Sequence, residues 1–180
     1  MSCIPKILEL KGDKDFLLAK EPYNSIAIEH GGVYKGYDYI ITLNDIGIRC
    51  GYVAVKHDDP VMQETSDYPD FDVHGGITFF EQHGFVAKLI DHVCEDKWLG
   101  FDCGHAGDKW DTTTAQKYFT EGEPARRLHS MIKIKEETHD TMVMDFPNYR
   151  DDYEKIRDVS YTEQECKNFI DQLIEQRIAA

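Results

Sequence analysis

The stretch Arg49-Cys50-Gly51-Tyr52-Val53-Ala54-Val55 constrains the fold more than any other part of the chain. At the two-residue period of a strand, Ile48, Cys50, Tyr52 and Ala54 point one way, and Arg49, Gly51, Val53 and Val55 the other. Both faces are mixed, which places this strand centrally in a sheet. Tyr37 to Leu43 precedes it, is equally rich in Tyr and Ile, and is joined to it through Asn44-Asp45-Ile46-Gly47, which has hairpin-turn chemistry. An antiparallel meander starts here.

Lys97 to Asp102 reads as a further strand, with Trp98, Gly100 and Asp102 on one face and Leu99, Phe101 and Cys103 on the other. The apolar run Phe85 to Val93 is expected to be a strand paired across a His83-Gly84 turn. Ile7 to Leu10, Phe16 to Leu18 and Ile26 to Ile28 are short, weakly patterned elements. Ala115 to Thr120 reads as a short helix, and Met131 to Lys135 with Thr141 to Phe146 as a hairpin. At the end, Thr162-Glu163-Gln164-Glu165 has the form of a capping box, and Cys166, Phe169, Ile170, Leu173, Ile174 and Ile178 follow at helical spacing. The expectation is α+β: a mainly antiparallel twisted β-sheet with a C-terminal amphipathic helix packed on it. It is read as a single domain over residues 1-180, with core motifs in 37-111, a variable segment 112-158 and a C-terminal helix 162-178.

Charge narrows the partners. Lys and Arg number 20 against 34 Asp and Glu, a net charge of −14, which repels phosphate backbones at long range and argues against general nucleic-acid binding. Arg126, Arg127, Lys133 and Lys135 are the candidates for a local basic pocket, though such charges ordinarily form a solvated face. No run approaches the ~18 apolar residues of a membrane span. Cys3, Cys50, Cys94, Cys103 and Cys166 form no CxxC pair, which argues against a zinc ribbon or a thioredoxin-like motif. Their odd number and the lack of an apolar leader segment suit reduced thiols in a cytoplasm.

Reactive side chains concentrate between Asp70 and Asp111. If Asp70 to His74 is extended, Asp70, Asp72 and His74 share a face beside the bare backbone of Gly75-Gly76, which precedes Ile77 and Thr78. Asp102, His105 and Asp108 recur at three-residue intervals in a glycine-rich loop with Gly104 and Gly107. With His74 they form a candidate ligand set for Mn²⁺, Mg²⁺ or Zn²⁺, and Asp72 or Asp111 would serve as a base. The plainer alternative makes Asp102 an Asx turn to the Gly104 and His105 amides, His105 a satisfied strand-end residue, and Asp108 a cap. A nucleophilic role for Cys103 ranks lower, because alternation puts it on the apolar face with Leu99 and Phe101.

Three segments carry a resemblance: Arg49 to Val55, Asp72-Val73-His74-Gly75-Gly76-Ile77-Thr78-Phe79, and Gly100-Phe101-Asp102-Cys103-Gly104-His105-Ala106-Gly107-Asp108, with Glu165-Cys166 in a closing helix. Together they resemble a family of small phage and prophage proteins of unassigned function, whose pattern is a GYV strand, an HGG(L/I)TF segment and an FDCxHxGD segment. The resemblance implies that His74, Gly75, Gly76, Asp102, His105, Gly107 and Asp108 form one site, in the cytoplasm of a bacterial host. It supplies no reaction. The chain departs from the pattern at Asp58-Asp59-Pro60, where members often carry Gly-His-Pro.

Three functions follow as expectations. The first is a metal-assisted hydrolase acting on a small phosphorylated or nucleotide-like substrate. The second is a phage protein that binds and sequesters a small anionic nucleotide signal of host defence through the amides of Gly75, Gly76, Gly104 and Gly107, with Thr78 beside them. The third is an acidic module that imitates nucleic acid. Each is compatible with a homo-oligomer.

Overall fold

A computed structural model describes residues 2-56, 59, 71-81, 84-92, 97-145 and 154-179, with the side chains of 139-145, 178 and 179 left aside. In chain order the elements are α1 (Ile4–Lys11), β1 (Leu17–Leu18), β2 (Ile26–Tyr34), β3 (Tyr37–Asn44), β4 (Arg49–Val55), β5 (Phe79–Phe80) and α2 (Phe85–Ile90). They continue as β6 (Lys97–Asp102), β7 (Asp108–Lys109), α3 (Thr112–Tyr118), α4 (Gly122–Asp145), β8 (Lys155–Ile156) and α5 (Val159–Ala179). Six strands form one antiparallel sheet in the order β1-β2-β3-β4-β6-β5, and β7 pairs with β8 in a separate parallel ribbon.

The mixed faces of β4 have a direct counterpart in its position between β3 and β6. On one face Val53, Val55, Leu99, Phe101 and Cys103 meet Cys166, Phe169, Ile170 and Leu173 of α5. On the other, Tyr52, Ala54 and Trp98 meet Ile4 and Ile7 of α1 and Val86, Leu89 and Ile90 of α2. Gly51 lets α5 seat closely, since a Cβ there would collide with the Phe101 ring and the Cys166 sulfur. The hairpin turn is held by the Asn44 side chain, whose Oδ1 accepts from the amides of Ile46 (3.1 Å) and Ile48 (2.9 Å).

Several elements differ from their sequence expectations. Phe85 to Ile90 is helical rather than extended, because its buried residues Val86, Leu89 and Ile90 have helical spacing; a short apolar run leaves the period ambiguous. Ile7 to Leu10 belongs to α1, with Pro5 in its first turn. The hairpin expected over 131-146 is instead one helix, α4, rich in Lys, Glu, Arg and Met and carrying Glu123–Arg126 and Lys133–Glu137 pairs. Helix α5 begins a turn before the capping box: Asp158 Oδ1 accepts from the Tyr161 amide at 2.8 Å. Thr162 lies within the helix, fully buried, and donates to the Asp158 carbonyl at 2.9 Å. Residues 71-78 are irregular, with a bend and turn at 73-75, rather than a strand, although Phe71 and Val73 are buried and Asp72 exposed as alternation required. Asp70, His83, Val93 and Phe146 lie outside the described residues.

Cys50, Cys103 and Cys166 are free thiols, but Cys3 is disulfide-bonded, contrary to the expectation that every thiol is reduced. Among the described residues no helix is long and apolar enough to cross a membrane. The candidate basic pocket is not formed: Arg126 pairs with Glu123, Arg127 with Asp45, Lys133 with Glu137 and Lys135 with Glu154.

One buried acid has no counterpart in the pattern. Glu81 follows β5 opposite Trp98, is 2% exposed, and neither of its carboxylate oxygens has a hydrogen-bond partner. Burial pushes its carboxyl up to about 7, against the pull of Lys97 and of the nearby Trp98 and Val86 amides. A raised acid costs stability as pH rises from the unfolded value towards the folded one. Glu81→Gln should therefore stabilise the protein at pH 8 by roughly 2–3 kcal/mol in denaturant titrations, with the gain shrinking towards zero near pH 4.

Candidate functional site

The ends of β6 and β7 bound a loop, residues 103-107, that faces the turn carrying His74 and the first turns of α5. Gly75 and Gly76 take positive φ (68° and 80°), which turns the chain after His74. A Cβ at Gly75 would run into the His105 imidazole, so a bare backbone is what allows the two histidines to approach. Their ring centroids lie 5.4 Å apart.

Asp108 is the centre of the arrangement, with its side chain 1% exposed. Its Oδ2 accepts from His74 Nε2 at 2.7 Å and from the His105 amide at 3.0 Å, and its Oδ1 accepts from Arg157 Nε at 2.8 Å. Burial alone would raise this carboxyl, but the donors from Arg157, His74 and His105 outweigh it and hold the group below the usual value. Ionised Asp108 can only accept, so His74 Nε2 carries the proton between them. In neutral His74, Nδ1 then accepts from the Tyr161 hydroxyl at 2.9 Å. The His74 amide is fixed separately by Glu165 Oε2 at 2.8 Å, and the Arg157 guanidinium lies over the Tyr161 ring, 4.6 Å from its centroid.

His105 completes the group. Its Nδ1 is buried, lacks a hydrogen-bond partner, and sits 3.8 Å from Asp102 Oδ1 and 3.9 Å from Asp108 Oδ2. A buried imidazole nitrogen left unpaired between two carboxylates is a ligand position without a competing bond. One ligand atom each from His74, His105 and Asp108 falls within 4.8 Å of the others, so the three residues could hold a metal ion.

The other residues singled out by sequence are placed as follows. Asp102 stands at the rim, its Oδ1 accepting from the Gly104 amide (3.0 Å), one of the two amides of the Asx-turn alternative, while the His105 amide goes to Asp108 instead; its Oδ2 accepts from Thr78 Oγ1 (2.8 Å). Gly107 is half-buried, with φ 93°, and the Gly76 amide is engaged by the Val73 carbonyl at 2.9 Å. Asp72 is exposed, and its backbone, not its carboxylate, is bound by Gln172. Asp111 is turned to structure: it caps α3 through the Thr114 amide (3.1 Å) and pairs with buried Arg49 (2.9 Å). Cys103 is packed at 3% exposure, and burial pushes its thiol up to about 12, which suits the inert reading.

Arg157 and Tyr161 were not anticipated. They are some fifty residues from the loop in sequence, and nothing in their local pattern marks them; Glu165 was touched only as part of the closing helix. No protein-family model, curated protein or solved structure matches the chain.

Gly75→Ala tests the close approach. The variant should fold with a loss of about 1–3 kcal/mol, the usual cost of forcing a side chain into such a backbone. Its His105 ring signals should shift in NMR while those of His30, on β2, stay in place.

Proposed function

We propose that His74, His105 and Asp108 bind a divalent cation and that the protein is a metal-assisted hydrolase of a small phosphorylated or nucleotide-like substrate. The observation that carries this reading is the buried, unpartnered Nδ1 of His105 beside an ionised, buried Asp108 and within reach of His74. Two imidazoles and one carboxylate favour Zn²⁺, Mn²⁺ or Fe²⁺ over Mg²⁺, which prefers oxygen ligands. Three protein ligands leave positions for water and substrate.

His74 would ligate through Nε2 as its other neutral tautomer, the proton moving from Nε2 to Nδ1, and that Nδ1–H would donate to the Tyr161 hydroxyl, the outer partner that fixes a ligating imidazole. A cation held by His74, His105 and Asp108 would supply Lewis acidity towards a phosphoryl oxygen and lower the pKa of a bound water. Asp102, about one-third exposed at 3.8 Å from His105, is better placed to take the proton than the Asp72 or Asp111 of the sequence expectation. Arg157, one-quarter exposed, offers its outer N–H groups to substrate oxygens.

The sequestering alternative relied on free loop amides. Two of them, Gly76 and Gly104, are already engaged within the chain, and Asp102, Asp108 and Glu165 surround the site with negative charge. Both facts favour a cation over an anion nest. The resemblance to phage and prophage proteins supports treating these residues as one site.

Elemental analysis and calorimetric titration with Zn²⁺ and Mn²⁺ test the reading. About one equivalent should bind, His105→Ala and Asp108→Asn should abolish binding, and Tyr161→Phe should weaken it by roughly 10- to 100-fold. The loaded protein should hydrolyse a phosphoester from a nucleotide panel, and His105→Ala should not. A loaded protein that retains nucleotides unchanged would favour sequestration, and a wild type that takes up neither cation would end the metal-centred mechanism.

A further inference from the structure

A cavity of about 370 Å³ lies where the start of β3, the end of β4 and the last turns of α5 come together, with Ser2, Tyr37, Asp38, Lys56 and Arg177 in its wall. Its volume is that of a small-molecule pocket. It is separate from the histidine site: Arg177 is sixteen residues along α5 from Tyr161, roughly 24 Å at the helical rise.

In a chain of net charge −14, two cations share this wall. Lys56 is exposed and has no ion-pair partner among the described residues. Arg177 lies over the Tyr37 ring, 5.2 Å from its centroid, and pairs with the buried Asp59. The pair and the ring hold its guanidinium in one plane, and one carboxylate cannot occupy all five N–H donors. The Tyr37 hydroxyl is buried without a hydrogen-bond partner. The acid in the wall, Asp38, is turned to the N-terminal segment through Oδ2, which accepts from Ser2 Oγ at 2.5 Å and from the Cys3 amide at 3.0 Å. Among the described residues the wall thus offers the Lys56 ammonium, the Arg177 N–H groups not engaged by Asp59 and the Tyr37 hydroxyl as donors.

We propose that this cavity binds a small oxyanion, the phosphoryl or carboxylate group of a metabolite-sized molecule, with Lys56 supplying charge and Arg177 a planar donor edge. The site is independent of the histidine cluster and of any reaction there.

The test uses the full chain carrying His105→Ala and stripped with chelator, so that anion binding at the proposed metal site does not contribute. It is titrated at constant ionic strength with inorganic phosphate and with citrate, followed by calorimetry and amide NMR. Saturable binding with shifts at Gly36, Tyr37, Asp38 and Lys56 is expected. Lys56→Gln should weaken it roughly tenfold, the loss of one charge-assisted hydrogen bond. That variant removes an exposed side chain with no ion-pair partner among the described residues, so its melting temperature should not change. Arg177→Lys, which keeps a cation for Asp59, should also weaken binding. Tighter phosphate identifies a phosphoryl ligand and tighter citrate a carboxylate. If neither anion binds saturably, or if Lys56→Gln binds as the parent does, the proposal is wrong.

Discussion

The guanidinium of Arg49, 5% exposed on the central strand, ties together parts of the chain that no local pattern connects. It donates to both oxygens of Glu29 on β2 (2.7 and 2.9 Å), to Asp111 at the head of α3 (2.9 Å) and to the carbonyl of Arg157 (3.1 Å). Tyr118 adds its hydroxyl to Glu29 at 3.1 Å. Taking three charges out of water is expensive, and the arrangement holds only because each meets an opposite partner. Its consequence is positional. The Arg157 backbone is fixed against the sheet, and its side chain reaches Asp108 from there.

Asp108 then transmits that order to the histidines. One carboxylate accepts from His74 on its turn, from its own loop and from the segment leading into α5. Because its donors outweigh burial, it stays ionised, and an ionised acceptor sets the protonation of His74. His105 is oriented differently. Its amide is bound, but its Nδ1 is left without a partner. The network around Arg49 differs: among the described residues, no buried side-chain polar atom of Arg49, Glu29, Asp111 or Tyr118 is left in that state. The contrast between the two networks is the physical basis for reading one as scaffold and the other as a site.

Much of the fold was legible because it depended on local period. Alternation in β4 and β6 sorted their side chains onto the faces where they are found, and the spacing of Cys166, Phe169, Ile170 and Leu173 marked the stripe that α5 buries. The errors fell where the local signal was degenerate. The five apolar residues around Lys88 in 85-90 suit either period, and over 131-145 the helix propensity of Lys, Glu and Met outweighed the hairpin reading. The capping-box residues had other partners: Thr162 is packed beside Cys103, and Glu165 holds the His74 amide.

By itself, the sequence determined the α+β class, the central strand, the turn at Asn44 and the glycine-rich segments that bring His74, His105 and Asp108 into play. These follow from side-chain period and from the backbone freedom of glycine, both local properties. Only the tertiary structure decided that Asp111 serves Arg49 and α3, that Asp72 faces solvent, and that Arg157 and Tyr161 complete the surroundings of Asp108. The reason is that a carboxylate's role is set by which donors reach it. Across 49 residues from Asp108 to Arg157, that is settled by how α5 packs on the sheet, not by spacing along the chain.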